Sequence, residues 1–120
     1  MPIVNSLSSN GVVCNITAMF TLEQVQNILD ALDPETPAIL SIFAGRIADT
    51  GRDPVPLLRE AIKMSRIRPK AELLWASPRE LLNIFQADEI DCDIITVTPD
   101  LLKKLDGVGK DLNQYSIMPF

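Results

Sequence analysis

One pattern occurs four times in the sequence: a short apolar run, a helix-capping residue and then apolar residues at helical spacing. The runs are GVVCNITAMF, AILSIFAG, AELLWA and CDIITV. The residues able to cap the helices that follow are Thr21, Asp53, Ser77 and Thr98. Proline comes directly after the last three, which suits the first position of a helix. The repeat therefore predicts four successive units of strand and helix.

Two of these helix starts carry a second signal. Gln24 stands three residues after Thr21, and Glu80 stands three residues after Ser77. This is the spacing of a capping box, in which each side chain bonds to a backbone N–H group that the helix itself leaves without a partner. The spacing predicts that helices begin at Thr21 and at Ser77.

Strands that alternate with helices of this length are typical of a parallel sheet, because a parallel strand needs a crossover connection to return. The apolar runs show little alternation, so we expect both faces of the sheet to be buried. The predicted fold class is α/β, with four consecutive βα units and parallel strands. In such folds the loops that leave the carboxyl ends of the strands carry the functional site.

Composition excludes several classes of function. The net charge of −5 argues against a nucleic-acid partner, because phosphates attract basic surfaces. No apolar run is long enough to span a membrane and no secretory signal is visible, so we expect no membrane partner and a cytoplasmic location. Histidine is absent, and Cys14 and Cys92 lie in apolar runs without metal-site spacing. We expect reduced, buried thiols, no metal and no cofactor.

Charged and hydroxyl side chains are predicted at the carboxyl ends of the second and third strands. Arg46 follows the second apolar run in a segment that reads as a polar loop, and Ser77 and Arg79 follow the third. Guanidinium groups bind phosphate oxygens bidentately, and free N–H groups at a helix start add donors. The pattern favours a phosphate-binding site. The alternative is that these are exposed rim or capping residues, with an acid such as Asp49 as the partner of an arginine.

Two polar residues, Asn15 and Thr17, interrupt the first apolar run. They are two positions apart, so their side chains are predicted to lie on one face of the strand. Buried polar groups are nearly always hydrogen-bonded. Asn15 and Thr17 therefore either bond to each other or to a neighbouring backbone group, or they line the centre of a barrel and face a polar ligand.

Four segments resemble successive segments of the transaldolase family, in the order in which that family has them: CNITAMFTLEQV, SIFAGRIADTGRDP, LLWASPREL and CDIITVTPDLLKKL. The resemblance covers roughly residues 11 to 105. It implies the carboxyl-terminal half of a (β/α)8 TIM barrel, with its fifth to eighth strands. It also implies carbohydrate metabolism, in an enzyme whose lysine forms a Schiff base with a ketose or ketose phosphate.

The resemblance further implies roles for individual residues. The positions that contact the bound sugar intermediate and its catalytic water are matched by Asn15 and Thr17. The phosphate-binding positions are matched by Arg46, Ser77 and Arg79. The positions that line the site are matched by Ser41 and Phe43.

The sequence departs from the family at its beginning. The family's nucleophilic lysine lies in a segment resembling Lys-Ile-Pro-Val, just before the positions matched here by Pro2, Ile3 and Val4. The five lysines of this chain all stand in polar stretches predicted to be exposed: Lys63, Lys70, Lys103, Lys104 and Lys110. We therefore expect a single truncated, transaldolase-like half-barrel domain over residues 1–120, with 1–10 as an irregular remnant and 106–120 as a tail.

Three interpretations of function remain open. The chain is part of a transaldolase or fructose-6-phosphate aldolase-like enzyme and is inactive alone, or it is a catalytically silent phosphate-binding module, or it is a structural half barrel. The expected ligand is a sugar phosphate or phosphate. Exposed edge strands and apolar helix faces favour a homodimer or pairing with a complementary half barrel.

Overall fold

The computed structural model describes residues 2–109, in which helices alternate with the strands of one sheet. The four strands are Cys14–Met19 (β1), Ala38–Ile42 (β2), Ala71–Trp75 (β3) and Ile94–Ile95 (β4). The helices are Pro2–Ser9 (α1), Leu22–Ala31 (α2), Ala44–Asp49 (α3), Pro54–Ser65 (α4), Leu82–Glu89 (α5) and Pro99–Lys103 (α6). A 3₁₀ turn over Lys104–Gly107 follows α6.

The strands pair in parallel, and their order in the sheet, β1-β2-β3-β4, is their order in the sequence. The predicted fold class is confirmed: the chain is α/β, with consecutive βα units and parallel strands. Within residues 2–109 the sheet is open and does not close into a barrel. Its sequential parallel order is consistent with one half of a (β/α)8 barrel.

Three of the four predicted helix caps form in the structure. Thr21 and Gln24 make the expected capping box at the start of α2. The side chains of Asp53 and Thr98 accept hydrogen bonds from backbone N–H groups in the first turns of α4 and α6, at 2.9 and 3.2 Å. These caps satisfy N–H groups that have no acceptor within their own helix.

The predicted capping box at Ser77 is wrong. Ser77 has a φ of +58°, and α5 begins only at Leu82. The side-chain oxygen of Asn83 instead accepts from the backbone N–H groups of Arg79 and Glu80, at 2.9 Å each. Asn83, in the first turn of α5, thus bonds back to the segment that precedes the helix, and Leu81 at the helix start makes no side-chain cap hydrogen bond.

The segment predicted as a polar loop after β2 forms the short helix α3. Ala44, Gly45 and Ile47 of this helix are buried, whereas Arg46, Ala48 and Asp49 are exposed. Burial of the first three residues stabilises helical structure in a segment whose polar residues suggested a loop.

The sheet has one covered face and one open face. On the covered face the strands pack with α2 and α4, and the largest buried side chains there are Val25, Leu29, Leu40, Ile42, Leu58, Leu73 and Trp75. The open face comprises Asn15, Ile39, Ser41, Glu72, Leu74 and Ile94, which strand pairing places side by side. Glu72 on this face is exposed, and Ile39 and Leu74 are half-buried. The expectation that both faces are buried is therefore wrong for the described residues.

The expectation of an irregular segment over residues 1–10 is also wrong, because α1 covers most of it. Val4 is buried in the core, and the hydroxyl of Ser8 accepts from the backbone N–H of Asp33 at 2.8 Å. Gly11, with a φ of +81°, lies just beyond the helix end. These contacts stabilise a helix that would be too short to form alone.

Among residues 2–109, none of the helices has both the length and the apolar character needed to cross a membrane. Cys14 and Cys92 are free thiols as expected, the first buried and the second half-buried. Residues 110–120 of the predicted tail, which include Lys110, lie outside the described residues.

Candidate functional site

Residues predicted to bind phosphate lie where β2 and β3 end. Backbone hydrogen bonds continue between the two segments beyond the strands. The N–H of Ala76 donates to the carbonyl of Ile42 at 2.9 Å, and the N–H of Gly45 donates to the carbonyl of Ala76 at 3.4 Å. The start of α3, which carries Arg46, is thereby held beside the turn that contains Ser77.

Gly45 is the point of closest approach between α3 and this turn. A Cβ atom on Gly45 would overlap the carbonyl oxygen of Ser77 and would lie 3.1 Å from Arg79 Nε. The absence of a side chain lets the two segments meet, which is a recurrent use of glycine. Gly45 was not predicted as a site residue. The available signal was a glycine directly after an apolar strand and next to Arg46.

Arg79 is held by both its side chain and its backbone. Its Nη2 lies 3.1 Å from Asp49 Oδ2, and both side chains of this ion pair are about half exposed. Its backbone N–H donates to the side chain of Asn83. A guanidinium group has five N–H donors, and the ion pair occupies only part of them. The Arg79 side chain therefore lies beside Gly45 with donors that remain suitable for an anion.

Arg46 is oriented by an aromatic ring. Its Cζ lies 5.2 Å from the centroid of the Phe43 ring, within the range of a cation–π interaction. The Phe43 ring in turn packs edge to face on Phe20, with the centroids 6.0 Å apart. Stacking orients the guanidinium without using its N–H donors. The suggested pairing of Asp49 with an arginine is observed, but the arginine is Arg79 and not Arg46.

Polar residues of β1 and β2 meet on the open face. The hydroxyl of Ser41 donates to Asn15 Oδ1 at 3.0 Å; Ser41 is buried and Asn15 is exposed. Thr17 is also exposed and lies where a bulge interrupts the strand pairing between Ile16 and Met19. The described partner of Asn15 is thus a side chain on the neighbouring strand, an arrangement that spacing within one strand could not indicate.

A cleft of about 310 Å³ lies between the α3–α4 connection and α5. Of the three predicted phosphate-binding residues, only Arg79 lines it, together with Gly45 and Trp75. Its remaining polar and charged lining residues are Arg52, Asp53, Glu80, Asn83 and Gln86. Two arginines and two carboxylates balance each other there, so the cleft itself does not favour an anion. The better candidate for an anion site is the rim around Gly45, beyond the ends of β2 and β3, which comprises Arg46, Ser77 and Arg79.

The four lysines among residues 2–109 are exposed. Lys63 lies near the end of α4, Lys70 just before β3, and Lys103 and Lys104 where α6 passes into the 3₁₀ turn. A lysine that forms a Schiff base needs desolvated or cationic surroundings to lose its proton readily. Exposed positions on helices and turns do not provide such surroundings.

The fold and the rim together define a class of protein: a parallel α/β chain with arginine and hydroxyl side chains at the carboxyl ends of two neighbouring strands. Such proteins bind ligands at this edge of the sheet. Comparison with known families identifies the family within this class. The profile of the family described as Transaldolase/Fructose-6-phosphate aldolase matches residues 1–117. The chain belongs to this family.

Individual relatives agree with this assignment. A protein named "Probable transaldolase" from Nitrosopumilus maritimus is 32% identical over 102 residues, which cover 83% of this chain and 44% of that protein. A protein of the same name from Carboxydothermus hydrogenoformans is 32% identical over 123 residues, covering 96% and 56% of the two chains. The chain thus spans about half the length of the curated relatives it matches.

Proposed function

We propose that this chain binds the phosphate group of a sugar phosphate in cytoplasmic carbohydrate metabolism, as part of a transaldolase-type site. The observation that carries this proposal is the meeting of the Arg46-bearing helix with Ser77 and Arg79 at Gly45. In this arrangement the two guanidinium groups and the Ser77 hydroxyl donate to phosphate oxygens. Family membership supports a sugar phosphate as the class of ligand.

The sugar is proposed to lie along the open face, next to Asn15 and Thr17. Asn15 Oδ1 already accepts from Ser41, so the Asn15 amide keeps its two N–H donors for a sugar hydroxyl. Thr17 is exposed, and its hydroxyl is the group proposed to bind a water molecule. Phe43 lines the site beneath Arg46, and Ser41 orients Asn15.

Mutation of the arginines tests the proposed phosphate site. Arg46→Ala and Arg79→Ala should each weaken binding of inorganic phosphate by about 1.5 kcal/mol or more, the scale of a charge-assisted hydrogen bond. Arg59→Ala is the matched control, because it removes the same charge from an exposed position on α4. Affinity can be measured by following backbone amide shifts in an NMR titration. If neither rim variant loses affinity relative to Arg59→Ala, the proposed site is wrong.

No covalent step is proposed for the described residues, because their lysines are exposed. Intact-mass spectrometry after borohydride reduction in the presence of fructose 6-phosphate tests this. We expect no stoichiometric adduct. An adduct at a single lysine would show that this chain performs the Schiff-base chemistry of its family after all.

A second candidate function is structural pairing of half barrels, and the open face is the observation that favours it. Ile39, Leu74 and Ile94 are half-buried there although no helix of the described chain covers them. Within residues 2–109, β1 and β4 each pair with one neighbouring strand, so the described sheet has two edges. Edge strands present backbone groups that can pair with another chain. A second copy or a complementary half barrel would cover both features.

A further inference from the structure

We propose that Asn83 is a positioning residue of the anion site, which acts by holding Arg79. This inference rests on the proposed function, since it concerns how the chain presents Arg79 to phosphate. Asn83 was not among the residues predicted from the sequence. It lies in the first turn of α5 and is half-buried.

The side-chain amide of Asn83 is held at both ends. Its Oδ1 accepts from the backbone N–H groups of Arg79 and Glu80, at 2.9 Å each. Its Nδ2 donates to Gln86 Oε1 at 3.0 Å. These three hydrogen bonds fix the orientation of the amide, so Asn83 connects the backbone at Arg79 to the body of α5.

The turn that carries Arg79 contains a residue with unfavourable backbone angles, so other contacts must hold the turn in place. Ser77, two residues earlier, has a φ of +58°, in the left-handed region that residues other than glycine adopt at a cost. The ion pair between Arg79 and Asp49 is about half exposed, and such pairs contribute little because water screens them. The hydrogen bonds that Asn83 Oδ1 accepts restrain the backbone at Arg79, whereas the ion pair holds only the end of its side chain.

A cap and a positioning residue make different predictions. A cap contributes to the stability of α5 and has no particular link to the anion. A positioning residue affects anion affinity through Arg79, so its effect must disappear when the Arg79 side chain is removed. A double-mutant cycle measures this dependence directly.

The experiment is a titration of the full chain with inorganic phosphate, followed by ¹⁵N–¹H NMR, for wild type, Asn83→Ala, Arg79→Ala and the double variant. We expect Asn83→Ala to weaken phosphate binding about fivefold, the effect of losing one hydrogen-bonded restraint. We expect Arg79→Ala to weaken it at least about tenfold. The double variant should bind no more weakly than Arg79→Ala alone.

Two further variants separate positioning from stability. Thr98→Ala removes the comparable cap of α6 and should leave phosphate affinity unchanged. Gln86→Ala removes only the acceptor for Asn83 Nδ2, so it should give an affinity between wild type and Asn83→Ala. If Asn83→Ala does not fold, Gln86→Ala replaces it in the double-mutant cycle with Arg79→Ala.

The possible failures are distinguishable. If Arg79→Ala weakens phosphate binding while Asn83→Ala does not, or if the two effects simply add, the positioning role is overturned and the phosphate site stands. If Arg79→Ala has no effect, or wild type does not bind phosphate, the proposed function fails and the role of Asn83 fails with it.

Discussion

Gly45 has no side chain, and this absence allows α3 to contact the turn after β3 at the candidate site. Gly45→Ala would place Cβ against the backbone carbonyl of Ser77, which cannot move away as a flexible side chain could. We expect a loss of about 1–3 kcal/mol of stability, as for other overpacked sites, together with weaker phosphate binding. Denaturant unfolding and phosphate titration measure the two effects.

The control for this prediction is Gly107→Ala. A Cβ on Gly107 meets no atom within 4 Å, so we expect this substitution to change stability little. If Gly45→Ala were as stable as Gly107→Ala and bound phosphate as wild type does, α3 and the turn after β3 would not be in the close contact described here.

Cys92 gives a second prediction at the residue scale, for alkaline pH. Burial raises the pKa of the Cys92 thiol above its ordinary value of 9.0, the nearby Asp93 carboxylate adds to this, and backbone hydrogen bonds partly oppose it. The folded protein therefore holds the thiol proton more tightly than the unfolded chain does. This contribution to stability is present below pH 9.0 and is lost as the pH rises through the folded-state pKa.

Comparison of wild type with Cys92→Ala tests whether the free energy of unfolding falls with rising pH because of this thiol. The unfolding free energy of wild type should fall more steeply than that of Cys92→Ala as the pH rises above 9.0. Urea unfolding at a series of pH values measures the two slopes. Equal slopes would mean that Cys92 titrates alike in the folded and unfolded chains.

The sequence predicts the kinds of residue in the candidate site better than their contacts. Arg46 and Arg79 stand out because the first directly follows an apolar run and the second lies three residues after another. The pairing of Arg79 with Asp49 joins residues 30 positions apart, and the approach of Gly45 to Ser77 is equally non-local. Such contacts depend on the packing of two βα units, which no local spacing reveals.

At the scale of elements, local motifs were predictable and tertiary contacts were not. The caps of α2, α4 and α6 form where the sequence indicates, because each needs only residues within one helical turn. No helix was predicted where α1 and α3 form, and α5 begins later than the predicted start at Ser77. Val4, Ile47 and Ala87 show why, since each is buried against residues from distant parts of the chain, and that burial cannot be read from propensity.

The cap of α4 gives the prediction at this scale. Asp53→Ala removes the acceptor for the backbone N–H of Val55, which is 2.9 Å from Asp53 Oδ1. We expect a loss of about 1 kcal/mol in urea unfolding. Asp53→Asn keeps a side-chain oxygen at this position and should retain most of the stability. If Asp53→Ala and Asp53→Asn were equally stable, the hydrogen bond would contribute nothing measurable.

For the whole molecule, the sequence predicts parallel strands but not which face of the sheet is covered. Ile39 and Leu74 on the open face are as apolar as residues of the core, so the runs look continuous. Glu72 is the one charged side chain on this face, and its position within AELLWA was the available signal. Whether a second layer covers the open face depends on contacts beyond the described residues, and oligomeric state therefore belongs to this scale.

Pairing through the open face predicts a dimer at micromolar concentration in light scattering. Leu74→Asp would place a charge at the half-buried centre of this face, where an unpaired charge is costly. We expect it to raise the dimer dissociation constant at least about tenfold. Ile67→Asp is the matched control, because Ile67 is an exposed apolar residue just after α4 and lies outside the open face. A folded wild-type monomer, or equal weakening by both variants, would show that the open face does not mediate pairing between copies of this chain.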